Sequence, residues 1–241
     1  MAWQINEESR VFAKREDVLR WANVDENAPN YLPPNVTRLK PQTGVSWETG
    51  AEWQRDSLRV QASLYRLDLT DELMYAAGMI NTGGWAGTNI NLDKTRHQGL
   101  TLEADQQVND RIKVGGQYTY TDSKYRDGSF KGNEVPWVSK NTASAYIDWE
   151  IVQNLKAHFE AEFTGSRYYS SDNENSQGKL GSYTLYNAAL SYEYHNLLTK
   201  LRVNNITGKR YNAFAGYDSW QGKYYYPAPE ELVQLSVGYH F

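Results

Sequence analysis

The chain has 241 residues, with 25 Lys+Arg against 29 Asp+Glu for a formal net charge of -4, and no cysteine, which excludes a disulfide scaffold and a cysteine-based zinc site. Hydrophobic residues make up 40% of it and the mean hydropathy is -0.74; no apolar run approaches the roughly 18 residues of a spanning helix, so a helical membrane protein is excluded. No basic block is present, which removes the electrostatic footprint of a nucleic-acid binder.

In chain order, Met1 to Ser9 (MAWQINEES) lacks the basic start, apolar core and small-residue cleavage site of a secretory signal. The expectation is either a cytoplasmic protein or a Met1 that is not the natural start. From there almost every apolar pattern has period two, the signature of strands. Strands are predicted near 10–20, 43–54, 58–74, 92–108, 111–125, 139–153, 155–171, 182–195, 197–217 and 228–241. Ile112, Val114, Gly116, Tyr118 and Tyr120 form one stripe. Ala143, Ala145, Ile147, Trp149 and Ile151 form the next, and Ala157, Phe159, Ala161 and Phe163 oppose Lys156, His158, Glu160 and Glu162. Tyr186, Ala188, Leu190, Tyr192 and Tyr194 follow, and the last strand alternates Val233, Leu235, Val237, Tyr239 and Phe241 with small or polar residues.

The predicted connections alternate in length. Short ones fall at Arg55 to Ser57, Asn109-Asp110, Gln153-Asn154 and His195-Asn196; long ones at Trp21 to Gln42, Tyr75 to Asn91, Arg126 to Val138, Asp172 to Gly181 and Asp218 to Pro227. Tight turns at one end and extended loops at the other is the asymmetry of an outer-membrane barrel. A soluble sandwich has no reason to sort its loops so, and the charged opposite face disfavours a soluble all-β binding module. Several runs also reach the roughly 9–11 residues needed to cross a bilayer, longer than the usual globular strand. Aromatics are 14% of the chain, led by 19 Tyr. They gather at strand ends, as at Trp47, Trp53, Tyr118 to Tyr125, Tyr168-Tyr169 and Tyr224 to Tyr226, as interfacial girdles do.

An ordered series of segments resembles the TonB-dependent outer-membrane receptors, in the C-terminal part of their barrel. Leu19 to Glu26 (LRWANVDE) is similar to the family's strand ending in an Arg-aromatic pair. Leu39 to Gly44 (LKPQTG), followed by Trp47 to Gly50, is similar to its "LKPE…YE.G" strand start. Thr95 to Glu103 resembles "R..GvElE", Tyr118 to Asp122 "YTYTDA", Val203 to Tyr211 "vNNLfdkrY", and Tyr226 to Glu230 the "y.ePR" stretch before the last strand. The resemblance covers about Val11 to Phe241.

What the resemblance implies is an all-β fold: an antiparallel, up-and-down transmembrane β-barrel portion of about ten strands from a barrel of about 22. Residues 1–241 would be that C-terminal portion, with plug domain and N-terminal strands absent. The implied function is active uptake of a ferric siderophore or similar nutrient in the bacterial outer membrane, with no catalytic residue, metal or cofactor. The implied partners are the TonB energy-coupling complex through the missing plug, the barrel assembly machinery, lipopolysaccharide and phospholipid, and the nutrient itself. Candidate ligand residues on extracellular loops are Asn81, Trp85, Trp137, Tyr217, Trp220, Tyr224 and Tyr225, whose rings and amides suit an iron chelate or planar cofactor. For any one of them taken singly, loop packing and interfacial anchoring are the simpler account. Arg96, His97 and Arg167 are candidate lumen charges that draw anionic ligands inward; the simpler expectation is that they pair with Glu103, Glu162 or residues of the plug. Val237, Tyr239 and Phe241 are the expected outer-membrane assembly signal.

The alternative is a self-contained small outer-membrane porin or barrel enzyme. Its catalytic side has little to draw on: the four histidines His97, His158, His195 and His240 form no ligand spacing, no nucleophile or phosphate motif is present, and His158 with Glu160 is ordinary lumen composition. The sequons at Asn35 and Asn205 carry no meaning in a bacterial barrel.

Overall fold

The computed structural model describes residues 1–27, 39–80 and 86–240. In chain order the elements are β1 (Ala2–Gln4), β2 (Ser9–Arg20), α1 (Val24–Asn27), β3 (Gln42–Arg55), β4 (Leu58–Thr70), β5 (Leu73–Ile80), β6 (Ala86–Asn91) and β7 (Lys94–Asn109). They continue with β8 (Ile112–Tyr125), β9 (Asn141–Val152), β10 (Leu155–Thr164), β11 (Arg167–Tyr168), β12 (Lys179–Leu180), β13 (Tyr183–Tyr194), β14 (Leu197–Asn204), β15 (Asn212–Asp218), β16 (Gly222–Pro227) and β17 (Leu232–Tyr239). One eleven-stranded antiparallel sheet runs β1-β2-β3-β4-β7-β8-β9-β10-β13-β14-β17. Its order is chain order, an up-and-down meander, and β1 and β17 are its edges among the described residues.

Three two-stranded hairpins, β5-β6, β11-β12 and β15-β16, stand apart from the sheet at its long-loop end. They correct three predicted boundaries. The 58–74 run stops at Thr70 because Asp71 takes a left-handed φ of 56°, and part of the predicted 75–91 loop is strand. The 155–171 run stops at Thr164. The 197–217 run stops at Asn204, because Asn205 turns left-handed (φ 54°) and its side chain bonds the main chain of Lys209 in both directions at 2.9 Å. Opposite these lie the tight turns, where Asp56, Asn154 and His195 supply the positive φ. After β2, Asn23 and Glu26 form a reciprocal capping box for the single turn of α1 (2.8 and 2.9 Å), and Arg20 reaches back to the Glu26 carboxylate. The Arg-aromatic strand end of the sequence is thus a capped corner. Residues 28–38, including the Asn35 sequon, lie outside the described residues.

Register separates two faces. On one, Trp149, Ala157, Leu190, Leu201 and Leu235 are direct neighbours from β9 to β17, and Ala51, Ala62, Leu102 and Tyr118 continue the apolar surface from β3 to β8. Nothing covers it: Leu64 is 58% exposed, Phe159 49% and Leu235 69%. The described residues bury a compact apolar cluster elsewhere, where Leu92, Tyr125 and Val135 pack with Met74, Ile90, Phe130 and Val138 between the sheet's outer end and its loops. A nine-strand apolar face without a core beneath it is the lipid face of a membrane barrel wall, since soluble monomers rarely expose patches of that size.

The second face is polar and close-fitted. Gly50, Gly99 and Gly115 stand directly opposite Phe12, Tyr65 and Tyr146. Each ring lies across its glycine, so that a Cβ there would meet ring atoms at 2.6–2.9 Å, which is aromatic rescue of a strand glycine. The Tyr65 hydroxyl then reaches Thr121 Oγ1 at 2.6 Å, two strands away. These rings brace β2-β3, β4-β7-β8 and β8-β9 from the lumen side.

Candidate ligand site at the outer mouth

The loops at the outer end are cross-tied into one rim. Asn175 and Glu134 exchange two bonds, the Glu134 amide donating to Asn175 Oδ1 (2.7 Å) and Asn175 Nδ2 donating to the Glu134 carbonyl (3.0 Å). The Tyr125 hydroxyl donates to Asn173 Oδ1 (2.8 Å), and Asn133 Nδ2 to the Asn173 carbonyl (2.9 Å). Asp172, 2% exposed, folds its own loop by accepting the amides of Ser176 and Gln177 (3.0 and 3.1 Å). Ser170 bridges to β15 through Ala215 and Tyr217 (3.0 and 2.9 Å). Lys223 on β16 donates to the Gln177 carbonyl (2.8 Å).

Glu134 is the ionic centre of that rim, with Lys140 Nζ at 2.7 Å and Lys179 Nζ at 2.8 Å. Burial raises its carboxyl, but the hydrogen bonds and charges of the two lysines outweigh burial and hold it below its ordinary 4.5. A depressed folded pKa supplies stability that is present above the ordinary value and lost as pH falls through the folded one. Protection of residues 126–140 against hydrogen exchange, taken relative to the intrinsic rate at each pH, is therefore expected to be full above about pH 5 and to fall away as pH drops below about 4. In Glu134→Gln protection should be about tenfold lower than in the unmodified protein at neutral pH, and the difference should vanish at acid pH, where Glu134 is itself uncharged. Equal exchange in both proteins at pH 7 would contradict the clamp.

Inside the rim sits an arginine among aromatic rings. Arg167, 8% exposed, holds its guanidinium carbon 4.2 Å from the Trp137 ring centroid and 5.7 Å from that of Tyr183. Trp137 is placed there by a left-handed φ of 65° and by its amide bond to the Tyr168 carbonyl (3.1 Å). Its ring packs on Phe214 at 4.8 Å, and Phe214 touches Tyr224 and Tyr226 at 6.2 and 6.0 Å. Tyr183 stacks on Tyr211 at 4.9 Å. A hollow of about 380 Å³, lined by Thr119, Thr142, Glu162, Tyr183 and Tyr211, opens below on the polar face. Beside the arginine, Tyr169 and Tyr225 share a hydroxyl contact at 3.2 Å, and Lys223 lies over the Tyr169 ring at 4.8 Å. Burial, with the Tyr225 hydroxyl, pushes Tyr169 up to about 12, and burial also raises Tyr224. These phenols stay protonated at neutral pH, so they act by stacking and by hydrogen bonds.

A family described as TonB dependent receptor-like, beta-barrel, matches residues 1–206. The chain belongs to that family. The ferrioxamine B receptor of Salmonella typhimurium is 27% identical over 224 residues, 88% of this chain and 30% of that protein. The ferrioxamine receptor of Yersinia enterocolitica is 30% identical over 223 residues, with the same two coverages. Among solved structures, the copper transporter OprC has a TM-score of 0.79 at 17% identity, covering 100% of this chain and 38% of that one. The ferric yersiniabactin uptake receptor FyuA from Yersinia pestis has a TM-score of 0.77 at 17% identity, covering 98% and 35%. The chain thus spans about 30% of the length of these two sequence relatives.

As a TonB-dependent receptor barrel wall, the chain lies in the bacterial outer membrane, its apolar face to lipid and its polar face to the lumen. The family is one of receptors and transporters, which sets the barrel-enzyme alternative aside, and the open sheet is not a self-contained small barrel.

Of the expected ligand residues, Trp137 covers Arg167 and Tyr224 packs on the Phe214 ring behind Trp137, Tyr225 pairs with Tyr169, and Tyr217 is half-buried beside Ser170. Trp220 stands 75% exposed at the β15-β16 tip, where Asp218 accepts its amide at 2.9 Å. Asn81 and Trp85 lie outside the described residues. Arg96 corrects an expectation. It shares the outward face with Leu100 and Leu102 and bonds Asp68 at 2.6 Å, so it is neither a lumen charge nor a partner of Glu103. His97, one residue on, faces the lumen, its Nδ1 2.5 Å from Ser123 Oγ and its Nε2 3.5 Å from Glu72. Arg167 is on the lumen side, but its partners are rings and Ser139 Oγ (3.5 Å); Glu162 instead accepts from Asn187 at 3.2 Å. Val237 and Tyr239 pair with Thr199 and Leu197 on the outward face of β17, and Phe241 lies outside the described residues. Tyr183, Tyr211 and Phe214, central to the cluster, were not singled out from sequence, where they read as ordinary strand and girdle aromatics.

Proposed function

We propose that this chain forms the barrel wall and outer rim of a receptor that takes up a ferric siderophore. The observation that carries the reading is the buried Arg167 between the Trp137 and Tyr183 rings, with Phe214 and Tyr224 packed behind Trp137, at the mouth of the lumen. A cation held among rings with hydroxyl groups at its edge suits a bulky, anion-rich chelate by charge, stacking and hydrogen bonds. The printed names of the two sequence relatives, both ferrioxamine receptors, make a hydroxamate chelate the first choice. In this reading the lumen groove of about 620 Å³, lined by Lys113, Asp148, Lys156, His158, Lys200 and Arg202, receives a plug. Coupling to the TonB complex runs through that plug, and β17 with Phe241 is presented to the assembly machinery.

The test is binding of iron-labelled ferrioxamine B to outer membranes that hold the polypeptide carrying this chain. Arg167→Gln removes two cation-π contacts and is expected to weaken binding about tenfold. Trp137→Ala should do the same, with heat-modifiable migration of the barrel unchanged. Full binding in both variants would sink the placement of the ligand at this cluster.

A further inference from the structure

Three charged side chains are buried among the described residues: Arg167, Asp172 and Asp218. Both carboxylates are engaged by their own loops, Asp172 by the amides of Ser176 and Gln177 and Asp218 by those of Trp220 and Gln221. The arginine has no such counterpart. Among the described residues its side chain makes one hydrogen bond, from Nη1 to Ser139 Oγ at 3.5 Å, and no ion pair. The nearby acids are taken, Glu134 by Lys140 and Lys179 and Glu162 by Asn187. Arg10, Arg59, Arg66 and Arg96, all more exposed, each pair with a carboxylate.

A guanidinium withdrawn from water without an anion is costly to keep, and contacts with rings offset only part of that cost. The guanidinium carbon lies over the Trp137 and Tyr183 rings, so the rings engage the group's face and leave its N–H edge unused. Nε and Nη2 have no partner among the described residues, and neither is sealed from solvent. His97 Nε2 is the one sealed polar side-chain atom there that lacks a hydrogen bond. The arginine therefore presents an open row of donors. A carboxylate fills such an edge with two oxygens in one plane. A hydroxamate oxygen bound to iron matches it less well, because its charge is already shared with the metal.

We propose that Arg167 binds a free carboxylate on the ligand, so that the receptor prefers ferric chelates carrying an acid group beyond their iron-binding oxygens. The inference rests on the uptake reading above and narrows its substrate class. Two neighbours act as positioning residues. Ser139 Oγ donates to the Gly165 carbonyl at 2.9 Å, which leaves its lone pairs to Arg167 Nη1. Trp137 holds its ring over the guanidinium from a left-handed backbone, a conformation that a bulky residue seldom adopts and that gathers at ligand clamps.

The experiment caps the primary amine of ferrioxamine B with a succinyl group, giving a chelate that ends in a carboxylate; the methyl ester of that product is its uncharged mate. Both are loaded with labelled iron and bound to outer membranes that hold the polypeptide carrying this chain, with ferrioxamine B itself as the reference. The acid is expected to bind about tenfold more tightly than the ester. In Arg167→Gln the two should bind alike. In Arg167→Lys, which keeps the charge but not the planar fork, the preference should fall to about threefold or less. A merely structural role would weaken both chelates together and leave their ratio unchanged. Equal binding of acid and ester by the unmodified receptor, as when a carboxylate from elsewhere in the polypeptide already fills the edge, overturns this inference while the uptake reading stands. An unchanged ratio in Arg167→Gln does the same. Failure to bind any of the three chelates sinks the uptake reading, and this inference with it.

Discussion

Gly99→Val is expected to stop the barrel wall from assembling. A Cβ at Gly99 would run into the Tyr120 carbonyl oxygen and lie 2.8 Å from the Tyr65 hydroxyl. The first of these is backbone in a paired strand and cannot move without breaking the β7-β8 ladder. Overpacking alone costs about 1–3 kcal/mol, and forcing the ladder apart adds to it, so the loss is about 3 kcal/mol or more. The readout is the fraction of the polypeptide that becomes heat-modifiable in outer membranes. Adding Tyr65→Ala should not restore it, because the backbone clash remains. Gly115→Ala offers the contrast: its Cβ meets the Tyr146 ring and the Asp105 carboxylate at 2.5–2.7 Å, all side-chain atoms, so adding Tyr146→Ser should recover assembly. Gly238→Ala, with nothing within 4 Å, should be silent. A normal barrel in Gly99→Val would contradict the close fit of the lumen face.

Phe159→Arg is expected to be nearly as damaging, for the opposite face. Phe159 stands mid-strand in β10 between Ile147 and Ala188, on the exposed apolar surface. A charge there is held near the bilayer midplane at a cost of about 2–4 kcal/mol. Glu160→Arg, one residue on, puts the same group into the lumen, where the change is expected to be within about 0.5 kcal/mol. Denaturant unfolding of the reconstituted barrel reads both. If the two arginines cost the same, the faces are not lipid and water.

The two-faced wall was legible in the sequence because a strand's period of two is written in every residue: the stripes from Ile112 to Tyr120 and from Val233 to Tyr239 are visible without any coordinates. The same rule shows why Arg96 was misplaced. Grouping it with His97 put neighbours on one face, which a strand does not allow. Its parity with Leu100 and Leu102 placed it outward. The mouth was legible only in part. Trp137 and Tyr224 stood out as loop aromatics, but Arg167, Tyr183 and Phe214 converge from 137 to 226 through three loops, and no local spacing encodes that meeting. The short hairpins were hidden for a related reason. Strands such as Arg167–Tyr168 are too short to show a period, and their partners are fixed by tertiary bonds such as Ser170 to Ala215.

The most direct test of the central claim uses the absence of cysteine from these 241 residues, with any cysteine elsewhere in the polypeptide first replaced by serine. Single cysteines at Leu102, Phe159 and Leu235, and at their neighbours Thr101, Glu160 and Gln234, are spin-labelled in the outer-membrane polypeptide carrying this chain. Collision rates with oxygen and with a water-soluble nickel complex are then measured in bilayers. The wall described above gives oxygen-rich, nickel-poor labels at 102, 159 and 235 and the reverse at 101, 160 and 234. Nickel access at the first three, or protection of the second three as in a dry core, would show that the apolar face does not meet lipid.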